Sequence, residues 1–80
     1  MKETVTLYGT SACHLCEVAQ GILDATLNPD FFTVQWVDIA DSDELIERYG
    51  VRIPVLQRQQ DGSELNWPFD VEQLIAFLSR

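Results

Sequence analysis

The sequence predicts a single α/β domain in which helices pack against a mixed four-stranded sheet. Segments rich in β-forming residues alternate with segments whose apolar residues recur at helical spacing, and Gly, Pro and Asp residues separate the two kinds. The 80 residues suffice for one hydrophobic core. We therefore expect residues 1–80 to form one domain with the element order β-α-β-α-β-β-α.

The first half of the chain is predicted to form a β-α-β unit. A β-rich run at residues 4–8 ends at Gly9, and a helix follows over about residues 13–27. Asn28 and Pro29 stop this helix, and residues 32–39 form the second strand. Two strands joined by a helix of this length lie parallel. The apolar face of the helix is predicted to contain Leu15, Val18, Ala19, Ile22, Leu23 and Thr26.

The second half begins with a short helix and a third strand. Asp41 or Ser42 can cap a helix that extends to Tyr49, and Gly50 supplies its C-terminal stop. The third strand is predicted over residues 51–59.

A hairpin and a last helix complete the predicted sheet and its cover. Asp61 and Gly62 are typical of a hairpin turn that leads into a fourth strand at residues 63–67. Asp70 is predicted to cap the last helix, with Gln73 completing a capping box. The core face of that helix is predicted to contain Leu74, Ile75, Phe77 and Leu78.

Composition excludes several classes of partner. Thirteen acidic residues against five basic ones give a formal net charge of −8, which disfavours nucleic acid and anionic membrane surfaces. The N-terminal residues lack the apolar stretch of a signal peptide, and no apolar run has the length of a bilayer span. We therefore expect a cytoplasmic protein, in which paired cysteines are more often redox-active or metal-binding than structural.

Two cysteines stand three positions apart where the first strand gives way to the helix. At a helix start this spacing places the sulfurs of Cys13 and Cys16 on one face, close enough to form a disulfide. Unpaired backbone N–H groups and the helix dipole favour the thiolate of the first sulfur, and the thiolate is the nucleophile in disulfide exchange. We therefore predict that Cys13 attacks and that Cys16 resolves the mixed disulfide.

Alternatives to redox chemistry remain open at this motif. His14, the only histidine, could stabilise the Cys13 thiolate as a cation, or it could simply face solvent. The two cysteines could also be inert, or form half of a zinc site. A zinc site within one chain is disfavoured because no second Cys or His cluster exists and His14 is badly placed as a third ligand. Two subunits could still share a metal.

The motif and its surroundings resemble the thioredoxin superfamily, and within it the small glutaredoxin-like proteins. The matching segments are LYGTSACHLC at residues 7–16, WVDI at residues 36–39 and YGVRIPVL at residues 49–56. The resemblance implies a thioredoxin-like fold of the glutaredoxin type with the sheet order 2-1-3-4. It also implies a cis peptide bond between Ile53 and Pro54 that faces the disulfide, where the backbone of Ile53 would meet an extended substrate.

The sequence also departs from the glutaredoxin pattern. Thr10 stands where glutaredoxins usually carry a lysine that holds the glutathione carboxylate, and the double glycine before the last helix is missing. The free N–H groups around Phe69 and Asp70 could hold a carboxylate there, or Asp70 could only cap the helix. Trp36 and Trp67 are predicted to be core or half-buried strand residues rather than parts of a substrate groove.

These observations predict a thiol–disulfide oxidoreductase of the glutaredoxin-like type. The expected substrate is a disulfide-containing protein or a glutathione mixed disulfide. We expect a monomer with no tightly bound cofactor, with glutathione as a possible reductant. Substrate contacts are predicted at His14, Ile53, Pro54, Phe69 and Asp70. The alternative is a non-catalytic binding module that holds a metal or an iron–sulfur cluster between subunits, and a purely structural adaptor is the third hypothesis.

Overall fold

The computed structural model describes residues 2–79, which form a sheet with helices on both faces. The strands are β1 (Glu3–Gly9), β2 (Phe32–Asp38), β3 (Val55–Arg58) and β4 (Glu64–Asn66). The helices are α1 (His14–Thr26), α2 (Asp43–Tyr49) and α3 (Val71–Leu78), with a 3-10 turn at Ile39–Asp41. The prediction of one domain over residues 1–80 includes Met1 and Arg80, which lie outside the described residues.

The sheet is mixed, and its strand order is β2-β1-β3-β4. β1 pairs in parallel with β2 and antiparallel with β3, and β4 is antiparallel to β3. The register places Leu7 of β1 between Trp36 of β2 and Leu56 of β3. The predicted α/β fold with sheet order 2-1-3-4 is therefore confirmed.

Apolar side chains pack on both faces of the sheet. The larger cluster joins the β1 and β3 face to α1 and α3, and it contains Val5, Leu7, Ala19, Leu23, Leu56, Phe69, Leu74 and Phe77. A smaller cluster on the other face contains Ile39, Tyr49 and Val55. Since alternate residues of a strand point to opposite faces, Gly9 faces the larger cluster with Leu7, whereas Tyr8 faces the smaller one.

The buried face of α1 agrees with the predicted one at Ala19, Ile22 and Leu23 and differs from it nearer the start of the helix. Cys16, Ala19 and Leu23 are buried, whereas Leu15 and Val18 are exposed. The buried stripe therefore runs through the second cysteine, which the prediction had assigned to chemistry rather than to packing. In α3 the prediction holds for Leu74 and Phe77, whereas Ile75 is exposed.

Local capping explains several boundaries. Ser42 rather than Asp41 caps α2, because its Oγ accepts the Leu45 N–H at 3.3 Å. The predicted capping box is confirmed: the Asp70 carboxylate accepts the Gln73 N–H at 2.8 Å, and the Gln73 side chain accepts the Asp70 N–H. The hairpin turns at Gly62, whose φ of +74° favours glycine.

The third strand begins four residues later than predicted. The N–H groups of Arg52 and Ile53 both donate to the Tyr49 carbonyl, so a turn continues from the end of α2 up to Pro54. Residues 51–54 therefore form a loop that enters β3.

Candidate functional site

The cysteine motif and the Ile53-Pro54 segment lie at the same end of the sheet. β1 ends at Gly9, and Tyr8 pairs with Val55, so Pro54 stands beside Gly9 at the same end. β4 ends at Asn66 opposite Val55, and the Trp67 N–H donates to the Pro54 carbonyl at 3.3 Å. The turn after Gly9 leads directly to α1. The antiparallel pairing of β1 and β3 thus brings the cysteine motif and the Ile53-Pro54 segment to the same end of the sheet.

The two cysteines form a disulfide at the start of α1. Cys13 is the N-cap residue, and its sulfur accepts the Cys16 backbone N–H at 3.1 Å. Cys13 is partly exposed, whereas Cys16 is fully buried. A sulfur that accepts a helix N–H at the positive end of the helix dipole is well placed to carry negative charge. The Cys13 sulfur is therefore both more accessible to solvent than the Cys16 sulfur and better placed to be a thiolate.

Gly9, the last residue of β1, lies next to the Cys16 side chain of this disulfide. A Cβ at Gly9 would lie 2.7 Å from the Cys16 Sγ and 2.8 Å from the Trp36 Cη2, closer than real side-chain contacts allow. The absence of a side chain at Gly9 therefore lets α1 and Trp36 approach the end of β1. In the sequence Gly9 is recognisable only as the end of a strand, since Cys16 and Trp36 are distant from it along the chain.

Trp36 is a half-buried strand residue, the more exposed of the two placements predicted for it. Its side chain lies on the face of the sheet that α1 covers and is 41% exposed. Trp67 is only partly buried and packs edge-to-face with Phe69 at 5.2 Å between ring centroids. Trp36 therefore lies at the surface beside the cysteine motif and is not a core residue.

His14 faces solvent in the structure. Its side chain is 84% exposed, and its Nδ1 lies 3.9 Å from the Glu17 carboxylate. This placement favours the solvent-facing interpretation. A contact between His14 and substrate stays a prediction.

Ile53 and Pro54 lie between the end of α2 and the start of β3. The Ile53–Pro54 peptide bond is cis, as is Trp67–Pro68. Pro54 is buried, and Ile53 packs against the cluster that contains Tyr49. Their contact with a substrate stays a prediction.

A polar network fixes the loop before Pro54. The Tyr49 hydroxyl donates to Glu64 at 2.6 Å, and Arg52 donates to Glu64 at 2.8 Å and to Asn66 at 3.0 Å. The Tyr49 ring stacks on Tyr8, with 4.4 Å between centroids. Arg52 also lies over the Tyr49 ring, at 5.3 Å from its centroid. Arg52, which could have been simply solvated, is thus tied to β4.

This network shifts the pKa of both of its hydrogen-bonded acids. Burial, followed by the hydrogen bond to Glu64, raises the pKa of Tyr49 to about 12. For Glu64, burial alone would raise the pKa, but the hydrogen bonds from Tyr49 and Arg52 outweigh it and lower the pKa.

Alkaline titration should report this environment. We expect a tyrosinate absorbance step with a midpoint near pH 12 that disappears in Tyr49→Phe and persists in Tyr8→Phe. Because the folded-state pKa lies above the ordinary value of 10.0, the stabilisation from neutral Tyr49 is complete below pH 10 and is lost as the pH rises towards 12. A high-pH step that survives Tyr49→Phe would contradict this assignment.

Phe69 and Asp70 occupy structural positions at the start of α3. The Phe69 side chain is buried in the larger cluster, and the Asp70 carboxylate is engaged in the capping box. The structure therefore favours the capping interpretation of Asp70. Binding of a substrate carboxylate by the backbone at this helix start stays a prediction.

Two further features are absent from residues 2–79. No group of three or more His, Cys, Asp or Glu side chains in this part of the chain is arranged to hold a metal ion. Within the same residues, no helix combines the length and apolarity of a transmembrane span.

Comparisons with solved structures give close structural relatives. The protein XcR50 from X. campestris is 41% identical, with a TM-score of 0.80 over 94% of this chain and 95% of that one. Protein Ne2328 from Nitrosomonas europaea is 26% identical, with a TM-score of 0.80 over 96% of this chain and 92% of the other. A malarial protein, 14% identical with a TM-score of 0.65, covers 99% of this chain and 96% of its own, and shares the fold.

Sequence comparisons give one family match and no match to an individual curated protein. No protein of curated function matches the chain. The family model described as Glutaredoxin-like domain (DUF836) matches residues 4–79, which span β1 to the end of α3. The resemblance inferred from the cysteine motif and its surroundings is thus confirmed, and the chain belongs to the glutaredoxin-like domain family of the thioredoxin superfamily.

Proposed function

We propose that this protein is a dithiol–disulfide oxidoreductase in which Cys13 is the nucleophile and Cys16 the resolving cysteine. One observation carries the proposal: the two bonded sulfurs differ in access, since Cys13 is partly exposed at the N-cap of α1 whereas Cys16 is fully buried. An intermolecular attack needs access, and an intramolecular one does not. The membership in the glutaredoxin-like family supports a redox role.

The reaction transfers two electrons from the protein dithiol to a substrate disulfide. The Cys13 thiolate attacks one substrate sulfur, forms a mixed disulfide and releases the other substrate sulfur as a thiolate. The Cys16 thiolate then attacks the Cys13 sulfur, which breaks the mixed disulfide and releases the second substrate thiol. The protein is left with the Cys13–Cys16 disulfide. Each released thiolate takes a proton from solvent.

The helix start supports the first step. In the disulfide form the Cys13 sulfur already accepts the Cys16 N–H, and the same donor would stabilise a Cys13 thiolate after reduction. A lower pKa of the Cys13 thiol raises the fraction of Cys13 that is thiolate at neutral pH, and the thiolate is the attacking form.

A thiol reductant must regenerate the dithiol, and we propose glutathione or a disulfide reductase for this step. Thr10 replaces the lysine with which glutaredoxins usually hold the glutathione carboxylate, so glutathione and a reductase need to be compared directly as donors. We propose that the protein acts as a monomer. A reducing compartment such as the cytoplasm would keep the dithiol available.

The decisive experiment combines a redox titration with two cysteine variants. In a glutathione buffer the Cys13–Cys16 disulfide should be reducible, and turnover of a disulfide substrate should fall to background in Cys13→Ser. In Cys16→Ser the mixed disulfide at Cys13 should accumulate, as mass spectrometry would show. Running the wild-type assay with glutathione alone and with a reductase identifies the donor.

Two results would overturn the proposal. One is a Cys13 thiol with a pKa at or above about 8.5, the value of a free cysteine, together with no reducible disulfide. The other is a metal or cluster shared by two subunits, found in protein purified under reducing conditions and lost in Cys13→Ser. That second result would establish the metal-holding alternative instead.

A further inference from the structure

The edge of the sheet formed by β2 lacks the usual protections of an edge strand. β2 pairs with β1 over all of its seven residues, and its sequence, FTVQWVD, contains neither lysine nor proline. β4, at the opposite edge, has only three residues and is soon followed by Pro68. Natural proteins shorten their edge strands or place Lys and Pro in them, because an open edge pairs with other extended chains. β2 is therefore the edge to which a further strand can be added.

The backbone groups that point away from this edge belong to Val34 and Trp36. The Glu3 N–H donates to the Phe31 carbonyl at 2.9 Å, and Glu3 is the register partner of Phe32. In a parallel ladder every second residue of a strand makes the hydrogen bonds to its neighbour, so the odd-numbered residues of β2 bond to β1. The N–H and C=O groups of Val34 and Trp36 therefore face outward.

The side chains of the same two residues are also accessible. Val34 is 37% exposed and Trp36 is 41% exposed. Because alternate residues of a strand share a face, both side chains lie on the side of the sheet that α1 covers. An indole ring attracts a lysine or arginine cation to its face, and the aliphatic stem of such a side chain can lie along apolar surface. An added strand would therefore contact both the backbone and the side chains of Val34 and Trp36.

The helix beside this edge supplies negative charge. Asp24 of α1 lines a cavity of about 340 Å³ together with Phe32 and Val34, so it lies on the β2 side of the helix. Glu17 stands two helical turns before Asp24 and therefore on the same side of α1. The Glu17 side chain is 75% exposed and lies 3.9 Å from the His14 Nδ1. Neither α1 nor β2 contains Lys or Arg, so carboxylates border the edge.

These charges decide which kind of strand fits the edge. Antiparallel pairing of two copies at β2 would place both α1 helices on one face of the joined sheet, with their carboxylates facing each other and a net charge of −8 on each chain. A segment with Lys or Arg meets opposite charge instead. In the described part of the chain the arginines contact Tyr49 or Glu3, and the one lysine, Lys2, precedes β1. The partner must therefore bring the cations.

We propose that the β2 edge binds an extended segment of a partner protein, with Lys or Arg at every second position, as a fifth strand of the sheet. Hydrogen bonds to the backbone of Val34 and Trp36 hold the segment. Its cationic side chains face α1, where they meet Glu17, Asp24 and the indole ring. The inference goes beyond the proposed function and does not depend on the reactivity of Cys13.

Binding of designed peptides to the oxidised wild-type protein tests the proposal. The probe is a capped peptide as long as β2 in which Lys alternates with Thr, and a control peptide has Glu in place of Lys. Nuclear magnetic resonance of the isotope-labelled protein gives both the dissociation constant and the residues contacted. The Lys peptide should shift the amide signals of Val34 and Trp36, and added salt should weaken its binding. The Glu peptide should not bind.

Two double substitutions of equal net charge test the role of the carboxylates. Glu17→Gln with Asp24→Asn removes the two carboxylates beside the edge. Glu47→Gln with Glu72→Gln is the matched control, because it removes two exposed carboxylates from α2 and α3. The dissociation constant of the Lys peptide should rise about three- to tenfold in the first protein and less than about twofold in the second. Circular dichroism verifies that both proteins are folded.

Backbone pairing is tested on the peptide, so that no variant has to fold. Two further Lys peptides carry N-methyl groups, one on its Lys residues and the other on its Thr residues. Only one of these two sets faces β2 in an added strand, because alternate residues point their N–H groups to opposite sides. One N-methylated peptide should therefore lose binding and the other should keep it.

Several results would overturn the proposal. They are no binding of the Lys peptide, equal binding of the Glu peptide, equal effects of the two double substitutions, equal affinity of the two N-methylated peptides, and signal shifts confined to residues outside β2 and α1. A concentration-dependent dimer that shifts the signals of Val34 and Trp36 would also overturn it, because a second copy would then occupy the edge. Failure of the proposed function appears separately, as absent disulfide turnover, and leaves these binding results unaffected.

Discussion

Replacement of Arg58 by alanine is expected to lower the free energy of unfolding by about 3 kcal/mol. Arg58 donates from Nε to the Glu3 carboxylate at 2.6 Å and from Nη1 to the Phe77 carbonyl at 3.4 Å. The Arg58 side chain is 5% exposed and the Glu3 side chain is 21% exposed. Water can therefore replace few of the hydrogen bonds that Arg58→Ala removes. The hydrogen bond to Glu3 raises the pKa of Arg58, so the charged form is the one that binds.

The size of this effect follows from the position of the pair. It ties the first residue of β1 to the last residue of β3 and to the C-terminal turn of α3. A domain of this size is stable by about 4–12 kcal/mol, so the loss is a large fraction of the total. Urea unfolding of the oxidised protein measures it. Arg48→Ala is the matched control, since Arg48 is exposed and should cost less than about 1 kcal/mol.

A double variant separates the charge from the packing. Arg58→Met with Glu3→Gln removes both charges while it keeps most of the side-chain volume, and it should recover part of the stability that Arg58→Ala loses. If Arg58→Ala and Arg48→Ala had equal midpoints in urea, the pair would not contribute as described.

The second large effect is expected at Gly9. A Cβ there would meet the Cys16 Sγ, the Cys16 Cβ and the Trp36 ring within 3.0 Å. The half-exposed Trp36 can move aside, but Cys16 is buried and bonded to Cys13, so the start of α1 must shift. We expect Gly9→Ala to lower the free energy of unfolding by about 1–3 kcal/mol, the range for overpacked sites.

Gly21 supplies the control for this substitution. It lies within α1, and an added Cβ there would contact no neighbouring atom. Gly21→Ala should therefore stabilise the protein by up to about 1 kcal/mol, the difference in helix propensity. Opposite signs for the two glycine substitutions in urea unfolding would support the steric role of Gly9. A destabilisation of equal size at both positions would refute it.

The sequence predicts those features whose causes are local. The capping box of Asp70 and Gln73 spans four residues, and the Gly62 turn follows from one residue type. The disulfide between Cys13 and Cys16 also lies within one helical turn. The strand order, by contrast, came from the family resemblance, because elements of this order can be arranged in more than one sheet.

Features that depend on distant residues could not be predicted in the same way. The partners Arg58 and Glu3 are 55 positions apart, and either could have been a solvated charge. Leu15 has the hydrophobicity and spacing of a core residue, yet it is exposed because the buried stripe of α1 runs through Cys16. The role of Gly9 depends on two side chains brought together only by the tertiary fold.

The position of Cys13 as an N-cap bears on how variants of this protein are chosen and compared. Its sulfur serves the α1 backbone as a hydrogen-bond acceptor in addition to forming the disulfide. Serine retains an acceptor at this position and is a preferred capping residue, whereas alanine leaves the N–H of Cys16 without one. Serine is therefore the replacement that isolates the chemistry, and alanine would combine the loss of a reactive sulfur with a frayed helix.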